Sequence, residues 1–501
     1  MLKNIGSNWV VTIVTVIAVY LLTPFTLHKL GVSGYGTWVL ITSLNGYLGL
    51  LALGVPMASV RYFAQHAATS DTRKLNEAIG SCTGLYLILG VVALVVGIGL
   101  YAFFTLYGIP AKLHADARTA FAVMVLFVSA GFIGLLPEGI LAAHAAFVPR
   151  NMVRMATLAL RVGLTIGLLT LKTSLTTLAL VQLACLAFDF TLCWLVIRRR
   201  FPDIRMRLSG FDWSLVRKIF SFSLYVLVLN AGARLSFETD SMVIGAFIGV
   251  GSIPQFTIAN SFIIYLMELV IAIAAVVMPT AARLQAQGKP RELRDIFLTW
   301  SKIALSITIM VGIFLLVLGP RFIAWWVGPE FERPAGQVLQ ILMLSYLIFL
   351  PVRGVALPIL MGLGKPRLPT IGFLVAGVVN LGLSIVLARP LGLAGVALGT
   401  AIPNVLFAAF VLFQACRELG TSVAEYVGYV IPRAVLGALP ALALLLWFRL
   451  GLEVRGLVGL VVAGIAMVAL FVLTWVLFVY RNDRYVDMRA RIPLLRNLGR
   501  A

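Results

Sequence analysis

Apolar and polar positions alternate along this chain in long blocks, not residue by residue. Runs long enough to cross a bilayer, which takes about 20 mostly apolar residues, recur about 14 times. Their approximate limits are 8–29, 38–60, 82–107, 119–144, 152–171, 175–197, 219–248, 254–279, 297–319, 335–360, 370–388, 392–414, 429–449 and 457–480. The pattern predicts an all-α polytopic membrane protein. Composition agrees: 61% of the 501 residues are hydrophobic and 12% are charged, where a soluble domain carries about 25% charged residues. The first run is followed by TPFTLHKLG, not a small-residue cleavage site, and reads as a retained span.

The formal charge is +21, but the basic residues form no nucleic-acid patch. They lie in short segments between spans. With the N-terminus inside, inner segments hold roughly 28 of them and outer loops roughly 9, so both termini are expected in the cytoplasm. The richest inner segments are 198–218, 283–295 and the tail from Arg481. Topology is the plain reading of such clusters, and recruitment of anionic lipid headgroups is the alternative. An internal repeat is also visible. Leu30–Gly36 (LGVSGYG) follows span one and Ile248–Ser252 (IGVGS) follows span seven, while Ser59-Val60-Arg61 and Ala281-Ala282-Arg283 follow spans two and eight. Two six-span halves of like orientation form a parallel repeat with the site between them. The expected organisation is an N-terminal lobe over 1–200, a basic linker over 201–218, a C-terminal lobe over 219–415, an extra helix pair over 428–480 and a basic tail over 481–501.

Charges inside the spans carry the candidate chemistry. A charged side chain at mid-span costs about 2.5–3.5 kcal/mol, while each Leu, Ile, Phe or Val returns about 0.3–0.6. Span seven holds Asn230, Arg234, Glu238 and Asp240, so it needs other helices or a wet cavity around it. Arg234 and Glu238 share a face, and an intrahelical ion pair is the plain alternative. In span five, Arg150, Arg154 and Arg161 fall on one face along about 16 Å, with Thr157 and Thr165 beside them. Guanidinium forks match phosphate oxygens, so this ladder and Arg234 are candidates to hold a diphosphate. Asp189 in span six is expected opposite Arg161. Arg353 lies between Pro351 and Pro358, a twice-broken helix suited to a gating hinge. Glu138, Asp240 and Glu268 are acids able to take up H⁺ or Na⁺. Cys82, Cys185, Cys193 and Cys416 and the four histidines make no ligand cluster, so no metal or other cofactor is expected. The outer loops are too short for a catalytic domain, which argues against an enzyme.

Several stretches resemble a known family. Asn4, Ser7 and Asn8, the block Leu30–Trp38, the stretch 48–64 (LGLLALGVPMASVRYFA) and the acid-to-glycine stretch Asp240–Gly249 are similar to the polysaccharide-transport family of the multidrug/oligosaccharidyl-lipid/polysaccharide exporter superfamily. The turn at Pro254-Gln255-Phe256 departs from that pattern. The resemblance implies two six-helix lobes around a cation-lined cavity and alternating access. It also implies an undecaprenyl-diphosphate-linked oligosaccharide as cargo, in the bacterial inner membrane beside membrane lipids and polysaccharide polymerase or chain-length machinery. A lipid II flippase, a multidrug/cation antiporter and, from another class, a membrane-embedded glycan polymerase or ligase are the alternatives.

Overall fold

The computed structural model describes residues 2–52, 54–68, 71–104, 107–206, 208, 211–217, 219, 239–480, 483 and 485. Among them, 11 helices are long and apolar enough to cross a membrane. The difference from about 14 has a structural cause. α1, Leu2–Gly49, carries spans one and two in one helix broken at Gly31, whose φ is 68°. The helix Arg367–Glu418 likewise carries spans eleven and twelve, broken at Gly392 with φ 57°. Most of span seven, including Asn230, Arg234 and Glu238, lies outside the described residues.

The break at Gly392 reverses the chain. A straight helix of 52 residues would be about 78 Å long, yet Lys365, just before its start, pairs with Glu418 at its end. The two arms also bond across: Asn380 Nδ2 donates to Thr400 Oγ1 at 3.0 Å, and Ser384 Oγ to the Val396 carbonyl at 3.5 Å. Only glycine takes such positive φ without strain. Gly249, the counterpart of Gly31 in the sequence repeat, has φ 128°. Gly36 lets these two turns touch, since a Cβ there would stand 1.9 Å from the Val250 carbonyl oxygen. Span two also departs from its expected single run over 38–60. It ends in a short 3₁₀ turn, Leu50–Ala52, and the chain restarts as α2, Val55–Ala68, with Gly54 and Pro56 at the interruption.

The described residues fall into two compact units. One comprises those up to 234 together with Ile244–Pro254; the other comprises those from 235 to Val243 together with Gln255 onward. In the first unit, α3 (Thr72–Phe103), α4 (His114–Ala143), α5 (Phe147–Leu171) and α6 (Leu175–Arg200) follow α2. α4 is central and packs on α1, α2, α3 and α6. Its first turn fixes α6: the Asp116 carboxylate accepts from the Leu175 and Thr176 amides at 2.7 and 3.0 Å and from Ser174 Oγ at 2.7 Å. That carboxylate satisfies orphan amides at the α6 N-terminus. It also holds the starts of α4 and α6 together, which brings their acids to the same side of α5.

After α7 (Asp240–Phe247), the second unit contains α8 (Ile253–Ala286), α9 (Pro290–Val317), α10 (Gly319–Val327), α11 (Glu332–Pro351), α12 (Leu357–Gly362), α13 (Arg367–Glu418), α14 (Val423–Leu450) and α15 (Leu457–Thr474). α9 packs on α11 and α14, and α11 packs on α13. Between α11 and α12, Val352–Ala356 is a π-turn in which the Leu357 amide donates to the Val352 carbonyl. Pro358 lacks an N–H and cannot continue the ordinary ladder.

Candidate functional site

The first unit gathers Arg150, Arg154 and Arg161 of α5, Glu138 of α4 and Asp189 of α6. The three arginines are not equivalent. Arg150 Nη1 donates to both oxygens of Asp189 at 2.8 and 3.0 Å and reaches Cys193 Sγ at 3.5 Å; Nη2 stands 3.5 Å from Glu138 Oε2. Its side chain is only 13% exposed. Arg154 pairs with Glu138 from a more exposed position. Thr157 Oγ1 donates to Asp189 at 3.2 Å. Arg161 has no carboxylate partner among the described residues, and its buried Nε has no hydrogen-bond acceptor.

The expected pairing of Asp189 with Arg161 is thus replaced by pairing with Arg150 and Thr157. The reason is register. α6 presents Cys193, Asp189 and Cys185 at four-residue steps along the α5 face. Cys193 and Asp189 meet Arg150, while Cys185, a thiol, is the neighbour of Arg161. The ladder therefore splits into a clamp at Arg150 and an unneutralised cation at Arg161. Asn151 adds a tie to α1, donating to Ser7 Oγ at 2.9 Å.

Two further polar groups lie in the second unit. Asp240 is 4% exposed and accepts from Thr400 Oγ1, at 3.1 and 3.2 Å to its two oxygens. Asn380 and the buried Ser384 stand behind it. No basic side chain pairs with Asp240 among the described residues. Arg353 sits in the π-turn with its Nε unpartnered and its guanidinium 5.5 Å from the Phe373 ring centre. Gly354 lets α8 come close, since a Cβ there would stand 2.6 Å from Val270 Cγ1. Pro351 and Val352, next to Arg353, line an apolar groove of about 400 Å³ with Leu305, Ile309, Leu347 and Val430. Glu268 is exposed on α8 with no ion pair among the described residues.

One buried cluster escaped the sequence reading. Lys302 of α9 and Asp483, beyond the last span, form an ion pair with both side chains fully buried. Lys302 Nζ also donates to the Val479 carbonyl at 3.1 Å and stands 4.7 and 5.0 Å from the Tyr429 and Tyr480 ring centres. Tyr429 Oη donates to Asp483 at 2.7 Å. Burial pushes the Asp483 carboxyl up, but hydrogen bonds from Lys302, Tyr429 and the Tyr485 amide outweigh it and hold it below the usual range. The available signal was a lone lysine inside an apolar run.

Residues 1–285, more than half of the chain, match the model of the family described as polysaccharide biosynthesis protein. The chain belongs to that family. It is a multi-pass membrane protein of that family, with 11 candidate spans among the described residues. A similar protein is the uncharacterized membrane protein EpsK of Bacillus subtilis (strain 168), 22% identical over 87% of this chain and 86% of its own length. Among solved structures, an inward-facing multidrug resistance MATE family transporter of the MOP superfamily is similar with a TM-score of 0.67, at 17% identity over 79% of this chain and 94% of that one. The lipid II flippase MurJ in an inward closed conformation is similar with a TM-score of 0.63, at 13% identity over 91% of this chain and 97% of that one. At these identities the likeness is one of fold, and it gives this family member a MATE/MurJ-like polytopic transporter fold.

Proposed function

We propose that this protein flips an undecaprenyl-diphosphate-linked oligosaccharide, a repeat unit of O-antigen or exopolysaccharide, from the inner to the outer leaflet of the bacterial inner membrane. Both of its termini lie in the cytoplasm. The observation that carries this reading is Arg161. It lies about 16 Å along α5 from Arg150, where an unpaired guanidinium costs about 2.5–3.5 kcal/mol. A diphosphate is an anion whose oxygens match the guanidinium fork. The polyprenyl tail stays in lipid. The Pro351–Pro358 segment supplies the hinge for alternating access. A cationic cargo fits less well, because Arg161 would repel it. Lipid II shares the diphosphate handle and stands as the second reading, favoured by the fold likeness to MurJ. No bond is made or broken in this scheme, and polymerase or chain-length machinery would take up the flipped unit.

In cells lacking their own oligosaccharide flippase, the chain is expected to restore surface glycan. Accumulation of lipid-linked oligosaccharide at the inner leaflet despite its expression would contradict the reading. Rescue of cells depleted of a lipid II flippase, without rescue of surface glycan, would move the assignment to lipid II.

Ion coupling belongs to Asp240 in this reading. An unpaired buried carboxylate is costly, and uptake of H⁺ or Na⁺ amid the Thr400, Asn380 and Ser384 oxygens relieves that cost. Asp240→Asn is expected to make flipping independent of an imposed H⁺ or Na⁺ gradient. The check is transport under each gradient in vesicles, and an unchanged gradient dependence would remove Asp240 from the scheme.

A further inference from the structure

A second apolar space lies in the first unit, with none of the clustered arginines or their carboxylates in its lining, where the basic segment after α6 folds back along α3. Asn76 of α3 holds this segment at both its groups: Nδ2 donates to the Asp203 carbonyl at 3.0 Å, and Oδ1 accepts from the Arg205 amide at 2.8 Å. Ser81 Oγ accepts from the Asp212 amide at 2.9 Å. Phe211 packs where Gly84 offers no side chain, since a Cβ there would stand 2.6 Å from its ring. Asp212 then accepts from the Ser214 amide at 2.8 Å and starts a short helical stretch.

The strapped segment and α3 enclose a cavity of about 600 Å³, within the size range of ligand pockets. Leu85, Ile88 and Val92 of α3 line it with Val216 and Trp213, and Arg217 is its charged edge. Arg217 is exposed and has no carboxylate partner among the described residues. The α3 face continues outward as Val91 and Val95, 60% and 63% exposed, and Trp213 is 63% exposed. An aliphatic slot opening onto hydrocarbon, with tryptophan and arginine at its polar end, has the polarity of a lipid molecule at the interface. The segment 198–218 holds seven basic and two acidic residues, which marks an anionic headgroup as the complement.

We propose that this cavity binds one anionic phospholipid of the cytoplasmic leaflet, with an acyl chain against Leu85, Ile88 and Val92 and its phosphate on Arg217. The side assigned to it rests on the positive-inside rule. The site is separate from that proposed for the transported cargo: a single guanidinium suits a phosphodiester, and the acyl slot lies on the bilayer-facing side of α3.

The test is native mass spectrometry of the purified full chain, delipidated and then titrated with phosphatidylglycerol or phosphatidylcholine of the same acyl composition. The wild type is expected to retain one phosphatidylglycerol in preference to phosphatidylcholine. Arg217→Ala is expected to lower that preference about fivefold. Ile88→Trp fills the slot from an exposed position and is expected to lose the bound lipid at unchanged thermal midpoint. Equal retention of the two lipids by the wild type, or an unchanged preference in Arg217→Ala, overturns the proposal. Displacement of phosphatidylglycerol by equimolar undecaprenyl phosphate also overturns it, because the slot would then belong to the cargo lipid. None of these outcomes depends on whether the chain flips oligosaccharide.

Discussion

Arg161→Ala is expected to abolish glycan export while the protein stays folded in the membrane. Arg161 makes no ion pair among the described residues, so its removal leaves no carboxylate stranded. Hydrogen bonds to charged groups contribute about 1.5–3 kcal/mol each, so losing a two-pronged grip on phosphate weakens headgroup binding about 10²- to 10⁴-fold. Arg161→Lys keeps the charge and loses the fork, and an intermediate loss of about tenfold is expected. Surface glycan, scored against membrane-inserted protein, reads both variants. Arg150→Ala should behave differently. It strands Asp189 and deprives Glu138 of one partner, so the loss there should appear first as lower thermal stability and folded yield. Wild-type export by Arg161→Ala would remove Arg161 from the transport path.

Asp483→Ala is expected to destabilise the second unit more than any surface substitution. It leaves the Lys302 ammonium buried without its carboxylate, between the rings of Tyr429 and Tyr480. Breaking a buried pair by removing one partner costs about 3–5 kcal/mol, a large share of the 5–15 kcal/mol typical of folded proteins. Lys302→Met combined with Asp483→Ala removes both charges and should recover most of that loss. Thermal unfolding in detergent measures the two variants. The Asp483 carboxyl is depressed in the folded state, so its contribution is present above the unfolded value near pH 3.9 and is lost as pH falls through the lower folded value. A double variant as unstable as Asp483→Ala alone would show that the pair is not the source of the effect.

The sequence yielded the fold because the bilayer fixes the length of every apolar run, and runs such as 152–171 and 175–197 fall within α5 and within α6. It was less informative where local backbone chemistry interrupts a run. Gly54 and Pro56 split span two, and the Pro358 effect on the ladder at Val352 produces a π-turn, not a simple kink. The spacing of Arg150, Arg154 and Arg161 placed them on one helix face. Which of them is neutralised depended on the rotation of α6, set by Asp116 and by the four-residue step from Cys193 to Asp189 to Cys185. The Lys302–Asp483 pair joins residues 181 positions apart, and no local pattern announces such a partner.

The central claim is that an unneutralised guanidinium within α5 receives a lipid diphosphate for transfer across the bilayer. Its most direct test is flipping of a fluorescent polyprenyl-diphosphate oligosaccharide in proteoliposomes, read by quenching of the outer leaflet. Wild-type protein is expected to move the lipid, and Arg161→Ala, reconstituted to equal density, is expected to leave it at the rate of protein-free vesicles. Equal flipping by the two proteins would contradict the account.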